Sequence, residues 1–395
     1  MSGETQLDGQ KMALVLSAGG VRAMAQLGVL KAMARYNLEP DLVVGTSGGA
    51  IVAALHASGR TAEEIIALVE RWQRKSRRLL DFNWLGLLRA LFRLNLAPFP
   101  GFIKGRRLEA VLAGYLSGAD EFSAFSPGAG RKPLFLTAVD LEDGTPTVFC
   151  DPSQVRLEAD PVTGEYEGYR LCGRIPVSRA IRASISIPGI FVPAACRPSC
   201  PDRGRCQRGS KNGRSDRYVD GAVREFLPLG VAVRLLRAGL ALGINLGYAG
   251  LRREGVAERG IAEVVSQSLD IMGLDQVEGT LQDELVAKAR VVVLNPMIYD
   301  IGTFELEYLP FLVERGEKLA EEFFRARGLI PGGDPAENRR RLFPTAPGAL
   351  LYPPKGSDIY FDWFRQITEA HGAPRRSASA WQSLWRGRRP WEGRL

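Results

Sequence analysis

The first sixty residues contain two short apolar runs, each followed at once by small residues and then by a longer apolar stretch. Met12–Leu16 is the first run, and residues 42–44 are the second. Short apolar runs bounded by glycine predict buried strands. Apolar side chains then recur at helical spacing up to Tyr36, and an unbroken apolar helix is predicted over 50–55. Two successive strand–turn–helix units predict an α/β fold with parallel strands.

The same patterns predict the elements that follow. Helices are expected at 61–74, 107–116, 260–281 and 309–327, with one more around Ile181, and strands at 134–139, 146–150, 191–195, 217–220, 240–246 and 289–294. Thr61 and Glu64 have the spacing of a capping box. After residue 328 the chain is rich in Pro, Gly and Arg. We therefore expect one α/β domain over 12–328 and a Pro/Gly/Arg/Trp-rich C-terminal extension over 329–395.

Residues 82–103 interrupt this regular alternation. They are apolar, contain scattered arginines and end in a region with Pro98 and Pro100. A short core helix is one interpretation. A mobile cap that meets lipid is the other, and the pattern alone leaves both open.

A polar insertion is predicted at 196–216, between two strands. It contains Cys196, Cys200 and Cys206, without a nearby histidine and without the paired C-x2-C spacing of a zinc ribbon. A metal site would need Cys172 or Cys150 as a fourth ligand. A solvent-exposed loop is therefore the favoured interpretation, and no metal is expected.

The composition is typical of a globular protein with a large core. The chain has 395 residues, of which 45% are apolar and 24% charged. Residues 1–13 lack an apolar signal region, and no apolar run is long enough to span a bilayer. The odd number of cysteines, five, favours reduced thiols over a disulfide framework. These features predict a cytoplasmic location.

The net charge of +8 is concentrated in two stretches. Residues 71–107 contain ten basic side chains against the single acid Asp81, and residues 375–395 contain six arginines against Glu392. Aromatic residues are interleaved with both stretches. Arginine with tryptophan and leucine is typical of membrane interfaces, although nucleic acid can be bound by the same pairing. An anionic partner is expected, and charge alone leaves its class open.

The turn after the second predicted strand has the sequence Gly45-Thr46-Ser47-Gly48-Gly49. Strand, G-x-S-x-G and helix together are the layout of a nucleophile elbow, in which the serine sits on a tight bend. The positive end of the helix dipole would favour a developing oxyanion nearby. Ser47 is therefore the candidate nucleophile. A glycine-rich turn with serine as a helix N-cap is the alternative.

The turn after the first strand is also rich in small residues. It contains Gly19, Gly20 and Arg22 but matches neither G-x-G-x-x-G nor the G-K-[ST] of a phosphate loop. Hydrolases with an elbow take a second oxyanion donor from such a turn on a neighbouring strand. We therefore favour an oxyanion hole from Gly19, Gly20 and Gly48 over a nucleotide site.

A serine nucleophile needs a base, and the chain has only two histidines. His56 follows Ser47 by nine residues on the same predicted helix, roughly 13 Å along its axis. His371 lies in the arginine-rich tail. The base must then be a carboxylate or a lysine, and Asp220 is the best placed, because it ends a predicted strand before Gly221. A plain Asp-Gly turn is the alternative interpretation.

These motifs resemble those of the patatin-like phospholipase family in its bacterial form. The run RASISIPGIFVP before Asp220 is also similar to that family's pattern, and the resemblance covers about 13–229. The motif residues are Gly19, Gly20, Arg22, Gly45, Thr46, Ser47, Gly48, Gly49, Asp220, Gly221 and Ala222. The resemblance implies a three-layer α/β/α fold around a central, mostly parallel sheet.

The resemblance also implies a function. We expect a lipid acyl hydrolase, similar to phospholipase A or lysophospholipase, that uses a Ser47–Asp220 dyad and an acyl-enzyme with no metal or other cofactor. Its partners would be a phospholipid or other acyl lipid and an anionic membrane surface, met peripherally at the inner face, rather than nucleic acid. A catalytically impaired lipid-binding scaffold and an acyltransferase or thioesterase with the same dyad are the alternatives.

The chain departs from the family pattern in its first turn. Ser17 and Ala18 precede Gly19, and Ala23 follows Arg22, where the family usually has glycines. An alanine can donate its N–H there without strain only if its φ is negative.

Overall fold

The computed structural model of the protein describes residues 10–74, 81–92, 99–126, 130–158, 165–196, 216–247, 255–298, 301–303 and 305–353. Its strands are β1 (Met12–Leu16), β2 (Leu42–Thr46), β3 (Leu134–Asp140), β4 (Pro146–Phe149), β5 (Arg170–Cys172), β6 (Ala194–Cys196), β7 (Asp216–Asp220), β8 (Leu240–Ile244), β9 (Arg290–Leu294) and β10 (Gly348–Tyr352). Its α-helices are α1 (Ala25–Arg35), α2 (Gly48–Ala57), α3 (Ala62–Arg74), α4 (Trp84–Phe92), α5 (Arg106–Tyr115), α6 (Val177–Ser184), α7 (Ile261–Leu281), α8 (Glu284–Lys288), α9 (Leu309–Ala326) and α10 (Pro335–Leu342).

All of these strands belong to one sheet. β10, β9, β8, β1, β2 and β3 run parallel in that order. β4 is antiparallel to β3, and the β6–β7 hairpin joins the sheet through β3. Parallel neighbours need crossover connections, which helices supply here. The sheet is therefore mostly parallel, as the sequence predicts.

Successive residues of β1 face two different apolar layers. Met12, Leu14 and Leu16 pack into a cluster with side chains of α1, α2 and α9, whereas Ala13 and Val15 pack into a second cluster with side chains of α7 and α8. Side chains alternate between the two faces of a strand, so a strand covered on both sides is apolar throughout. This arrangement confirms the three-layer α/β/α fold with the sheet in the middle.

One edge of β3 is shared by two other strands. Its first half pairs with β2, with Thr46 opposite Thr137. Its second half pairs with β7, with Asp220 opposite Ala138. Because Thr137 and Ala138 are consecutive, the end of β2 and the end of β7 meet beside them. The register of β3 therefore brings the residue after Thr46 close to Asp220.

The start of α3 follows the sequence prediction. The Thr61 backbone N–H donates to the Glu64 carboxylate at 3.0 Å, and the Glu64 N–H donates to the Thr61 hydroxyl at 3.2 Å. These reciprocal bonds confirm the capping box.

Two element boundaries differ from the sequence expectation. The strand predicted at 191–195 starts later, at Ala194, because the Val192 N–H donates to the carbonyl of Ile103 at 2.8 Å instead of to a sheet partner. The expected extension after 328 contributes α10 and the outer strand β10, which pairs in parallel with β9. The described part of the α/β unit thus continues to Tyr352, and residues 354–395 lie outside the description.

The predicted cap and insertion are described only in part. α4 occupies the middle of the cap, and Trp84, Leu85, Leu88 and Phe92 are exposed on it, which excludes the core-helix interpretation for these residues. Residues 93–98 lie outside the described chain, as do residues 197–215 of the insertion with Cys200 and Cys206. No helix in the described ranges is long and apolar enough to cross a membrane.

Candidate active site

Ser47 occupies a strained turn between β2 and α2. Its backbone has φ 54° and ψ −124°, a region that residues with a β-carbon rarely adopt. The neighbouring turn after β1 approaches so closely that a β-carbon at Gly48 would lie 2.5 Å from the Gly20 carbonyl oxygen. The small residues of the predicted elbow are therefore required by the backbone geometry.

The two residues of the predicted dyad are in direct contact. The Ser47 hydroxyl donates a hydrogen bond of 2.6 Å to Oδ2 of Asp220, and both side chains are buried. The other carboxylate oxygen accepts the Ala222 N–H at 2.9 Å. One oxygen is thus fixed by the backbone while the other faces the serine, an arrangement in which Asp220 can take the proton of Ser47.

Burial changes the acidity of Asp220. Loss of solvation raises its pKa from the usual value to about 7, although the hydrogen bonds from Ser47 and from the Ala222 N–H lower it in part. A base whose pKa lies near neutral pH combines a useful ionised fraction with enough basicity to accept a proton.

Three backbone N–H groups of the two turns are available to a ligand. Gly19 and Gly20 adopt positive φ values of 155° and 57°, which glycine tolerates. No acceptor within the described chain binds the N–H groups of Gly19, Gly20 or Gly48. Because the turns of Gly20 and Gly48 touch, these donors lie near one another beside Ser47, as an oxyanion hole requires.

The alanines of the first turn cause no backbone strain. Neither Ala18 nor Ala23 is among the described residues with positive φ. The Ala18 N–H donates to the Phe226 carbonyl at 2.8 Å, and Ala23 lies within the 3-10 helix Gly20–Met24. The Ala18 N–H therefore stabilises the turn by binding Phe226 and is not available as a donor to a substrate.

Arg22 ties the first turn to a distant helix. Its guanidinium donates to both carboxylate oxygens of Asp270, at 2.8 and 2.6 Å, and to the Gly19 carbonyl at 3.2 Å. Both side chains are buried. Asp270 belongs to α7, so this ion pair holds α7 against the glycine-rich turn. The sequence points to Arg22 but offers no signal for a partner 248 positions away.

A second residue that the sequence analysis does not single out supports the elbow itself. The Ser47 backbone N–H donates to the hydroxyl of Ser184 at 2.8 Å, and Ser184 is fully buried. Ser184 ends α6, within the run RASISIPGIFVP. Two residues later, the Ser186 carbonyl accepts the N–H of Asp220 at 2.9 Å. This run therefore positions both members of the dyad, a role that only tertiary contacts reveal.

The remaining candidates lie away from this contact. His56 on α2 is half-buried with both ring nitrogens enclosed, and loss of solvation together with the charge of Lys132 lowers its pKa to about 4. His371 lies outside the described residues. Cys150, Cys172 and Cys196 are buried free thiols, and no three His, Cys, Asp or Glu side chains of the described chain form a group that could hold a metal ion.

The chain is similar to several known proteins. A family model described as patatin-like phospholipase matches residues 14–233. The uncharacterized protein YqhO of Bacillus subtilis is 34% identical over 182 residues, which cover 45% of this chain and 56% of that protein. An uncharacterized NTE family protein of Mycobacterium tuberculosis is 27% identical over 188 residues, 48% of this chain and 25% of its own length. The chain thus spans about half or less of these relatives.

Shorter and more distant matches were also found. Patatin-like phospholipase domain-containing protein 6 of Homo sapiens is 37% identical over 75 residues, 19% of this chain and 6% of that protein. Among solved structures, VipD from Legionella pneumophila aligns over 95% of this chain and 78% of its own, with 13% identity and a TM-score of 0.36. The type III effector ExoU aligns over 84% and 53%, with 16% identity and a TM-score of 0.34.

Proposed function

This chain belongs to the patatin-like phospholipase family, and from that premise we propose that it hydrolyses carboxylic esters of lipids with Ser47 as nucleophile and Asp220 as base. The observation that carries the proposal is the buried 2.6 Å hydrogen bond from the Ser47 hydroxyl to Asp220. The strained backbone of Ser47 supports it, as do the N–H groups of Gly19, Gly20 and Gly48, which no acceptor of the described residues binds.

The reaction would proceed in two halves. In the first, Ser47 Oγ attacks the ester carbonyl while Asp220 takes its proton, and the N–H groups of the two turns stabilise the oxyanion. The tetrahedral intermediate then expels the alcohol, which leaves with the proton from Asp220. In the second half, water attacks the acyl-enzyme and gives a proton to Asp220. Release of the fatty acid returns that proton to Ser47.

The substrate would be reached at a membrane surface. Trp84, Leu88 and Phe92 are exposed on α4, and the exposed Arg89 on the same helix adds positive charge. Aromatic and basic side chains together suit adsorption to anionic lipid, where each basic residue contributes about 1 kcal/mol. The three buried free thiols fit a reducing compartment and hence the inner, cytoplasmic face of the membrane.

A fluorophosphonate probe tests the proposal directly. Such a probe reacts with an activated serine, so it should label the wild type and leave Ser47→Ala unlabelled. Hydrolysis should be measured in parallel on phospholipids and lysophospholipids. Equal labelling of both proteins would remove Ser47 from its role. Vesicle binding without hydrolysis of any ester would instead favour a lipid-binding scaffold, and release of product only with an added alcohol or thiol acceptor would favour acyl transfer.

A further inference from the structure

Large apolar side chains that are exposed to solvent concentrate in two segments of the described chain. Ten of the twelve lie within 82–102 or on α7, and the other two, Leu141 and Ile330, stand alone. Those on α7 are Ile261, Val264, Ile271 and Met272. Scattered single apolar residues are ordinary on a protein surface, whereas contiguous ones mark an interaction site. The distribution thus singles out α7 together with the segment around α4.

The outer face of α7 carries no exposed charge over most of its length. Between 261 and 272, Ser268 is the only other exposed position, and the two acids of this stretch, Glu263 and Asp270, are buried. The next exposed charged residue along the helix is Asp275. Twelve residues of helix extend about 18 Å, so an apolar face of about three turns faces solvent.

The opposite face of α7 is fixed to the candidate site. Asp270 accepts both hydrogen bonds from Arg22, and Gly273 packs so closely on Phe226 that a β-carbon there would lie 2.6 Å from the ring. The Phe226 carbonyl in turn accepts the Ala18 N–H. Because these contacts are buried, α7 cannot rotate to hide its apolar outer face without breaking the support of the glycine-rich turn.

An apolar cluster connects α7 with the segment around α4. Ile103, Ile187 and Phe191 belong to this cluster, against which Val265 and Leu269 of α7 pack. Ile103 also pairs with Phe82, which is itself exposed. Ile187 directly follows Ser186, the acceptor of the Asp220 N–H. The cluster therefore extends from the neighbourhood of the dyad to both exposed segments.

We infer that the outer face of α7 inserts into the acyl-chain region of a lipid surface, beside Phe82, Phe102 and α4, so that α7 and α4 border the entry of a lipid substrate. This inference deepens the proposed function and rests on it, since only a substrate dissolved in lipid needs such an entry. Lipid is favoured over a protein partner because the two apolar segments adjoin one cluster beside the dyad. The two helices also suit different parts of a lipid surface. Arg89 on α4 can contact the headgroups, whereas the uncharged face of α7 can contact the acyl chains.

The inference predicts a component of membrane binding that salt does not screen. The Ser47→Ala protein should be mixed with vesicles of phosphatidylcholine alone in about 1 M salt, where the Debye length is only about 3 Å. Adding Ile261→Ser and Ile271→Ser should lower the partition coefficient at least about tenfold, because two exposed apolar side chains no longer enter the lipid. The matched control, Leu141→Ser with Ile330→Ser, removes two similarly exposed but isolated side chains and should change it less than about twofold.

Three outcomes would overturn the inference. The first is that the Ser47→Ala protein does not bind these vesicles. The second is that the α7 variant and the control variant lose the partition coefficient equally. The third is that sedimentation velocity shows a dimer that only the α7 substitutions dissociate. If thermal unfolding shows that the first α7 variant is damaged, Val264→Ser with Met272→Ser replaces it. Binding is measured without turnover. If the wild type hydrolyses no ester but its vesicle binding still depends on α7, that result contradicts the proposed function and leaves the role of α7 in binding intact.

Discussion

Asp220 is a carboxyl group whose surroundings oppose ionisation. It ends β7 beside β3, and within the described residues its carboxylate accepts hydrogen bonds from the Ser47 hydroxyl and from the Ala222 N–H. No arginine or lysine of the described chain lowers its pKa by compensating the charge. Its proton affinity is therefore set by burial, and the pH at which the proposed dyad would work follows from that burial.

The raised pKa of Asp220 predicts the pH dependence of the reaction. Only the ionised carboxylate can accept the proton of Ser47, so kcat/KM should fall about tenfold for each pH unit below about 7 and level off above it. A pH profile of kcat/KM on a soluble ester measures this directly. A plateau that persists down to about pH 5 would mean that the base has an ordinary pKa.

Asp220→Asn should lower kcat at least about a hundredfold.

Ser184 predicts a second effect at the scale of single residues. Ser184→Ala leaves the buried Ser47 N–H without an acceptor, which costs about 1–3 kcal/mol and frees the elbow to move. We expect kcat to fall about tenfold or more with little change in KM, as measured by steady-state kinetics on a soluble ester. Such a split is expected for loss of positioning in the transition state.

Ser178 on the same helix provides the matched control. Its hydroxyl donates to Asp120 at 2.9 Å instead of to a group of the elbow. Ser178→Ala should lower the free energy of unfolding by a similar amount and leave kcat unchanged. If both variants lose kcat equally, Ser184 acts only through the stability of α6.

At the scale of elements, α4 resembles α7 and differs from the other described helices in that several of its large apolar side chains are exposed to solvent. Trp84 is 65% exposed and Phe92 is 86% exposed. The segment is nevertheless anchored at its ends, because the Asn83 N–H donates to the Phe102 carbonyl and the Ile103 N–H donates to that of Ile190. An anchored helix with exposed aromatic residues is suited to contact a surface rather than to fill a core.

Trp84→Ala with Leu88→Ala tests that role. The double variant should lose activity on anionic vesicles at least about tenfold more than activity on a short soluble ester, because adsorption and not chemistry is weakened. Wild-type binding to anionic vesicles should also exceed binding to neutral ones, and that excess should shrink at high salt. Equal losses on both substrates would show instead that α4 supports the packing of the site.

At the scale of the whole molecule, the core includes residues beyond the predicted domain. Phe343, which follows α10, is fully buried in the cluster that also contains Leu14 and Phe324. β10 then covers the outer edge of β9. The sheet and one of its helical layers are therefore completed by the segment 329–353, which the composition of the chain assigns to an extension.

Phe343→Ala should reveal this contribution. Removal of a fully buried phenylalanine side chain typically costs about 3–5 kcal/mol of unfolding free energy. Ile330→Ala, at an exposed position of the same segment, should change it by less than about 0.5 kcal/mol. Equilibrium urea unfolding measures both. Equal stability of the two variants would mean that 329–353 contributes little to the core.

The sequence by itself determined the elements with strong local patterns. β1, β2 and β3 are continuous apolar runs because they are buried on both faces, and α2 and α9 carry long helical patterns. The G-x-S-x-G turn, the capping box of α3 and the Asp-Gly-Ala turn are likewise local, since each depends on residues within a few positions of one another. The sequence does not predict the strands β5 and β10, because a few residues among Pro and Gly show no distinct alternation of apolar and polar positions.

Only the tertiary structure decided which distant residues meet. Ser47 and Asp220 are 173 positions apart, and their contact depends on β2 and β7 sharing one edge of β3 at Thr137 and Ala138. Asp270 and Ser184 acquire their roles in the same way, through strands and helices that approach only after the sheet has formed. A single sequence records local periodicity and turn chemistry, whereas register and crossover packing arise from the whole chain, and so the partners of the site appear only in the fold.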